Sequence, residues 1–205
     1  MFDWIQREWI ILQRLNSPSK IQDFLNKLQS HKKDTCFSPR VVLQKQKAHC
    51  MEGALLAAAA LRFHGFPPLI VDLTASKKDF DHVIAVFQIC GKWGAISKTN
   101  HAVLRYREPV YDSIRELAMS YFHEYFTDDG KKTLRSYSDP VDLKRFDGRG
   151  WTTSPKEVWY IPEYLAEIPH HKILTRSQIS RLRKADPIEI KVGKMLEFPL
   201  SVLSK

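Results

Sequence analysis

Apolar residues at helical spacing mark residues 3–30 as two helices. Trp4, Ile5, Trp9, Ile10, Leu12 and Leu15 form one stripe, and Ile21, Phe24, Leu25 and Leu28 a second. Asn16-Ser17-Pro18-Ser19 separates them, with Ser17 placed to cap the helix that Pro18 opens. Both helices would cover a core. Ser30 to Arg40 reads as a polar loop, and Ser38-Pro39-Arg40 starts an approach through Val41–Lys47 to the next element. There the pattern changes: from Gly53 to Leu61 every residue is small or apolar. A helix without a polar face belongs inside a core or a membrane. The run is far shorter than the roughly 20 apolar residues of a bilayer span, so it predicts a core helix. Gly65, with Pro67 and Pro68 behind it, stops this helix, and Cys50 opens it.

Pro68–Leu73 is a short continuous apolar run and predicts a buried strand. Asp81–Ile89 and Lys92–Ser97 are strand-like runs joined by Cys90-Gly91, a hairpin signal. Tyr111–Phe126 predicts a helix with Ile114, Leu117, Ala118, Tyr121, Phe122 and Tyr125 on one side, ended by Asp128-Asp129-Gly130. From Lys131 onward, proline and glycine cut the chain into short pieces. Ser177–Lys184 predicts a short helix and Ile188–Leu200 a terminal strand. These elements imply an α+β fold in one domain over residues 1–205. Its central buried helix carries the cysteine and packs on an antiparallel sheet carrying a histidine, with further N- and C-terminal helices.

Composition narrows the setting. The 205 residues are 43% hydrophobic and 27% charged, ordinary for a globular protein. An acid at Asp3 and no basic leader argue against a signal peptide, and no stretch is long enough to span a membrane. Three cysteines, Cys36, Cys50 and Cys90, are an odd set without framework spacing, so reduced thiols in the cytoplasm are expected. The net charge is +9, but its Lys and Arg residues are dispersed. The densest run, Arg176–Lys184, reads as the solvated face of a short helix, which argues against nucleic acid as a partner. His49, Cys50, His82 and Cys90 lack the paired short spacings of zinc sites, and the glycines form no phosphate loop. No metal or cofactor is expected. His64 and His170-His171 read as surface residues, and Cys90 as incidental to its turn.

Three features carry chemistry: Cys50 at a helix start, His82 at a strand start, and the return strand ending near Ser97–Asn100. Helix N-termini favour thiolate, the attacking form of cysteine. A thiol acyl-transfer enzyme needs that nucleophile, a histidine to move its proton, and a third group to orient the imidazole. His49, beside Cys50, is a further polar neighbour that either lowers the thiol pKa or is only surface.

Cys50 opening an alanine-rich helix, Gly65 before a hydrophobic strand, Asp81-His82-Val83 opening the next, and Gly91-Lys92-Trp93 turning into a third resemble the transglutaminase-like core. That core belongs to the papain-like cysteine-peptidase superfamily, and the similarity covers residues 41–100. The helices before it and the residues after it are then extensions. The resemblance implies a thiol nucleophile at Cys50 and a base at His82, in a catalytic triad of the cysteine protease-like hydrolases acting on a peptide or protein. The chain departs from the family where an aspartate normally ends the tryptophan-bearing strand, since Ser97 stands there. A two-residue turn at Cys90-Gly91 sets His82 opposite Thr99 and diagonal to Ser97, whereas a three-residue loop sets it opposite Asn100. Asn100 is preferred narrowly over Ser97, with Asp79 and Asp81 as further options. For the oxyanion, the Cys50 amide is one donor, and Gln44, ahead of Gln46, a second. The missing aspartate also leaves a rival reading, an inactive module that binds a peptide or protein partner in its cleft.

Overall fold

A computed structural model of the chain describes residues 4–31 and 33–198; the N-terminal Met1–Asp3 and the last two residues of the expected terminal strand lie outside them. The apolar run forms α4 (Cys50–Phe63), which is buried on every side from Met51 to Leu61. Three helices surround it: α1 (Gln6–Arg14), α2 (Pro18–Lys27) and α3 (Pro39–Lys45). Ser17 caps α2 as its sequence indicates, accepting from the Lys20 amide at 3.2 Å. Leu55, Leu56 and Leu61 are fully buried, each contributing about 1.5–3 kcal/mol. The helix closes on Gly65, whose φ is +87°. Gly65 and Phe66 donate to Arg62 and Leu61 carbonyls at 3.1 and 3.0 Å, the paired bonds of a Schellman end.

One face of α4 lies on an antiparallel sheet of β1 (Leu69–Ala75), β2 (His82–Ile89), β3 (Lys92–Ile96), β4 (Arg107–Tyr111), β5 (Leu134–Ser138), β6 (Val141–Asp142) and β7 (His170–Lys172). The order is β4-β3-β2-β1-β5-β7, with β6 also paired to β1. Strand alternation divides the core. Ile70, Val83, Ala85, Phe87 and Ile96 pack with α4, while Val71, Leu73, Ile84, Val86 and Ala95 pack with α5 (Ile114–Ser120). Being covered on both faces explains why β1 and β2 read as unbroken apolar runs. The fold is α+β, with the cysteine helix packed on the sheet that carries His82. Cys90 and Gly91, at φ +51° and +76°, make a two-residue turn that pairs Ile89 with Lys92.

Four expectations are corrected. The approach segment is α3, started by Ser38, whose Oγ accepts from the Val41 amide, and by Pro39 in the first turn. The helix expected over Tyr111–Phe126 is shorter: Ser113 caps α5, and residues 107–111 before it form an edge strand that tolerates Pro109. The strand expected from Ile188 is instead α8 (Pro187–Gly193), preceded by α6 (Tyr160–Glu167) and α7 (Arg176–Ser180). Asp186, Pro187 and Glu189 form its capped first turn, and the Asp186 amide donates to Glu189 Oε2 at 2.6 Å. Finally, His170 is not a free surface residue. It bridges β7 to β1, with Nε2 3.0 Å from Asp72 Oδ2 and Nδ1 2.9 Å from the Ile168 carbonyl.

Burial, and then the charge of Asp81, push the Asp72 carboxyl up to about 6. Because the folded state holds this proton more tightly than the unfolded chain, the associated stability is present below about pH 4 and is lost as pH rises through about 6. Asp72→Asn should remove that slope. Urea midpoints at pH 4.5 and 7 will show the variant gaining relative to wild type at the higher pH; an unchanged difference excludes Asp72 as the source.

Candidate active site

Cys50 is the first residue of α4, half-buried, and its amide precedes the first helical bond, from Gly53 N to His49 O at 2.9 Å. Among the described residues that amide has no partner, as is usual for the first donors of a helix. The thiol lies against two imidazoles, His49 and His82, and both act to lower its pKa. His82 begins β2 and is buried. Its Nε2 lies 2.7 Å from Ser97 Oγ, and Ser97 Oγ donates to the Leu104 carbonyl at 2.5 Å. The serine hydrogen is therefore committed, so the hydroxyl accepts from His82 Nε2–H and leaves Nδ1 for the thiol. The Ser97 backbone is fixed too: Gln22 of α2 accepts from its amide and donates to its carbonyl, both at 2.9 Å.

The second imidazole has a carboxylate behind it. His49 donates from Nε2 to the Thr35 carbonyl at 2.6 Å, and the same nitrogen lies 3.6 Å from Glu52 Oε1. Glu52, in the first turn of α4 and the one acid of that helix, is completely buried. It accepts from His31 Nε2 at 2.8 Å, Thr35 Oγ1 at 2.8 Å, the Phe37 amide at 3.0 Å and the His49 amide at 3.1 Å. The His31 and His49 rings meet edge to face at 5.3 Å. His31 Nδ1 is buried without a partner among the described residues.

These surroundings separate two neighbouring thiols. Burial alone raises a cysteine pKa, and at Cys36 burial and the Glu52 charge push it up to about 12, leaving an inert apolar thiol. At Cys50, burial is overcome by the hydrogen bonds and charges of His49 and His82, which hold the thiol well below its usual range. Burial works against a charged His49, but the bond to the Cys50 sulfur, the thiolate and Glu52 charges and the Thr35 carbonyl carry it up to about 9.

The sequence candidates fall into two groups. Cys50, His82 and Ser97 meet, in the diagonal relation that the two-residue turn implies. Asn100 is elsewhere: its side chain clamps Phe198, accepting from that residue's amide at 2.9 Å and donating to its carbonyl at 3.0 Å. Asp79 is bonded to Thr133 and the Phe80 amide, and Asp81 to the Ala75 amide. Gln44 lies on the exposed side of α3, and Gln46 turns back onto the Leu43 carbonyl at 2.6 Å. Glu52, His31 and Thr35 were not singled out by the sequence pattern. The signal for Glu52 was present as the single acid among the apolar residues of α4.

The chain matches no protein-family model, and no curated protein matches it significantly. Among the described residues, no group of three or more His, Cys, Asp or Glu could hold a metal ion, and no helix is long and apolar enough to cross a membrane. Chemically, the arrangement supplies an acidified thiol, an oriented imidazole and an unpaired helix-start amide beside the sulfur.

Proposed function

We propose that this protein is a cysteine-nucleophile acyl-transfer enzyme of transglutaminase-like type, hydrolysing an amide or peptide bond through a thioester. The observation that carries the reading is the relay Cys50–His82–Ser97, in which the serine hydroxyl is itself held by the Leu104 carbonyl at 2.5 Å. The sulfur attacks the carbonyl carbon, a C–S bond forms, and the oxygen takes the π pair beside the Cys50 amide. Collapse breaks the C–N bond and the leaving nitrogen takes a proton from imidazole; water, deprotonated by His82, then resolves the thioester.

The test is trapping of the acyl-enzyme. A p-nitrophenyl ester or dansylated peptide ester should leave one acyl group on the Cys50 peptide by mass spectrometry, removable by hydroxylamine. Cys50→Ala should abolish both the adduct and turnover. Turnover that survives Cys50→Ala sinks the proposal. The neutral Ser97 favours a second reading, a peptide-binding module without turnover; saturable peptide binding with no acyl adduct would select it.

A further inference from the structure

The thiol has two imidazole partners, and they are built differently. Behind His82 stands Ser97, which is neutral, and the nearby acids Asp79 and Asp81 are engaged with Thr133, Phe80 and Ala75. Behind His49 stands Glu52, fully buried, 3.6 Å from Nε2 and bonded to the His49 amide at 3.1 Å. A buried carboxylate with no water around it favours a cation next to it far more than a hydroxyl does. We infer that His49, backed by Glu52, is the standing cation that keeps Cys50 as thiolate, while His82, backed only by Ser97, carries the mobile proton. This rests on the reading of Cys50 as nucleophile and divides between two residues the work usually given to one.

The groups facing His49 agree with this division. From α4 they are Cys50 and Glu52, and from the segment before α3 they are His31 and, close by, Cys36. His82 reaches the same sulfur from β2, and the Tyr125 hydroxyl, held by the Phe80 carbonyl, feels the thiolate from the opposite side of the sheet. Cys36 and Tyr125 are both pushed upward by burial and stay neutral. Glu52 is then the carboxylate nearest His49, and its charge adds to the larger effect of the Cys50 sulfur in raising the His49 pKa to about 9.

The proton balance closes with His49 unchanged. The cycle starts from thiolate with both imidazoles protonated. Sulfur attacks the carbonyl carbon; on collapse the C–N bond breaks and the amine departs with the proton of His82. Neutral His82 then takes a proton from water as its oxygen attacks the thioester carbon. The second collapse breaks the C–S bond, returning the electron pair to sulfur beside protonated His49. The net change is one amide and one water to one acid and one amine.

The test is the pH profile of iodoacetamide alkylation, read on the Cys50 peptide by mass spectrometry, with folding monitored by thermal unfolding. Wild type should alkylate at pH 5 nearly as fast as at pH 8. His49→Gln keeps a donor for the Thr35 carbonyl and should lower the pH 5 rate about tenfold for each unit by which the thiol pKa rises above 5. His82→Gln should move the midpoint less. An unshifted profile in His49→Gln, or a larger shift in His82→Gln, overturns the inference. Should His49→Gln not fold, histidine NMR of the wild type decides. One ring should remain charged above pH 8 and, after alkylation of Cys50, titrate lower but still above the ordinary value near 6.5, because Glu52 stays beside it; no such ring, or one that falls to the ordinary value, overturns it. Neither readout needs a substrate. Absent turnover with this profile would sink the hydrolase alone, and an unshifted profile with intact turnover would sink the ion pair alone.

Discussion

Glu52→Ala should lower the unfolding free energy by about 3–5 kcal/mol, the range for removing one partner from a buried charged network. The alanine itself suits a helix. The loss comes from the donors left behind: His31 Nε2, Thr35 Oγ1 and the amides of Phe37 and His49 all end on this carboxylate. Each buried donor without an acceptor costs about 1–3 kcal/mol, and partial hydration limits the total. Urea unfolding at pH 7 measures it. Glu52→Gln is the informative comparison, because the free Nδ1 of His31 lets that ring change tautomer and accept from the new amide. The Gln variant should therefore lose less stability than the Ala variant. Equal losses, or a loss under 1 kcal/mol for Ala, would show that the carboxylate does not hold this corner together.

The second large effect is expected one residue further along α4. Gly53→Val should cost about 2–3 kcal/mol despite improving the intrinsic helix propensity by a few tenths. A Cβ at Gly53 would stand 2.3 Å from the Cβ of Lys98 and 3.0 Å from its Cγ. The first of those atoms is the root of the side chain, so relief requires the backbone to move. Lys98 is itself buried, with Nζ donating to the Leu28 carbonyl at 2.6 Å and lying 5.1 Å from the Phe198 ring centre. Burial lowers its pKa to about 8. Since Lys98 follows Ser97, displacement should also slow esterase turnover, more than the stability loss explains. A Gly53→Val protein as stable as wild type would show that the helix and β3 are free to separate.

The central helix was legible in the sequence because it obeys a rule without exceptions: no polar residue from Gly53 to Leu61 and a glycine stop at Gly65. The hairpin was legible for a similar reason, since Cys90-Gly91 admits few turns, and the turn fixes which residues share a face with His82. The length of that turn also decides between Ser97 and Asn100, since two residues put Ser97 on the face of His82 and Asn100 on the other. What the sequence did not carry is the path of the loop after β3, which sends Asn100 to Phe198, nearly a hundred residues on, and brings Leu104 back under Ser97. The strands β4 to β7 were hidden because each is short, and β5 and β7 gain their partners from distant segments. The terminal helix α8 was misread through its apolar spacing, although Asp186-Pro187 with Glu189 carries a clear start signal. The second imidazole was visible as a residue but not as a partner, since only the fold brings Thr35 to its ring and His31 to the Glu52 carboxylate behind it.

The clamp between Asn100 and Phe198 bears on how the site comes into being. Residues 193–198 strap the loop that ends in Leu104: Gly193 O meets His101 Nδ1 at 2.8 Å, Ala102 N donates to Met195 O at 3.1 Å, and Glu197 N donates to Asn100 O at 2.9 Å. Arg105 adds an ion pair to Glu197 at 3.1 Å. Leu104, held at φ +59°, supplies the carbonyl that sets the Ser97 hydroxyl and through it the His82 ring. A ribosome delivers Cys50, His49 and Glu52 long before that strap. The groups packed around the thiol thus come from neighbouring stretches of chain, while the brace under the His82 ring waits for residues about a hundred positions after Ser97. The order of translation separates the surroundings of the sulfur from the brace behind His82.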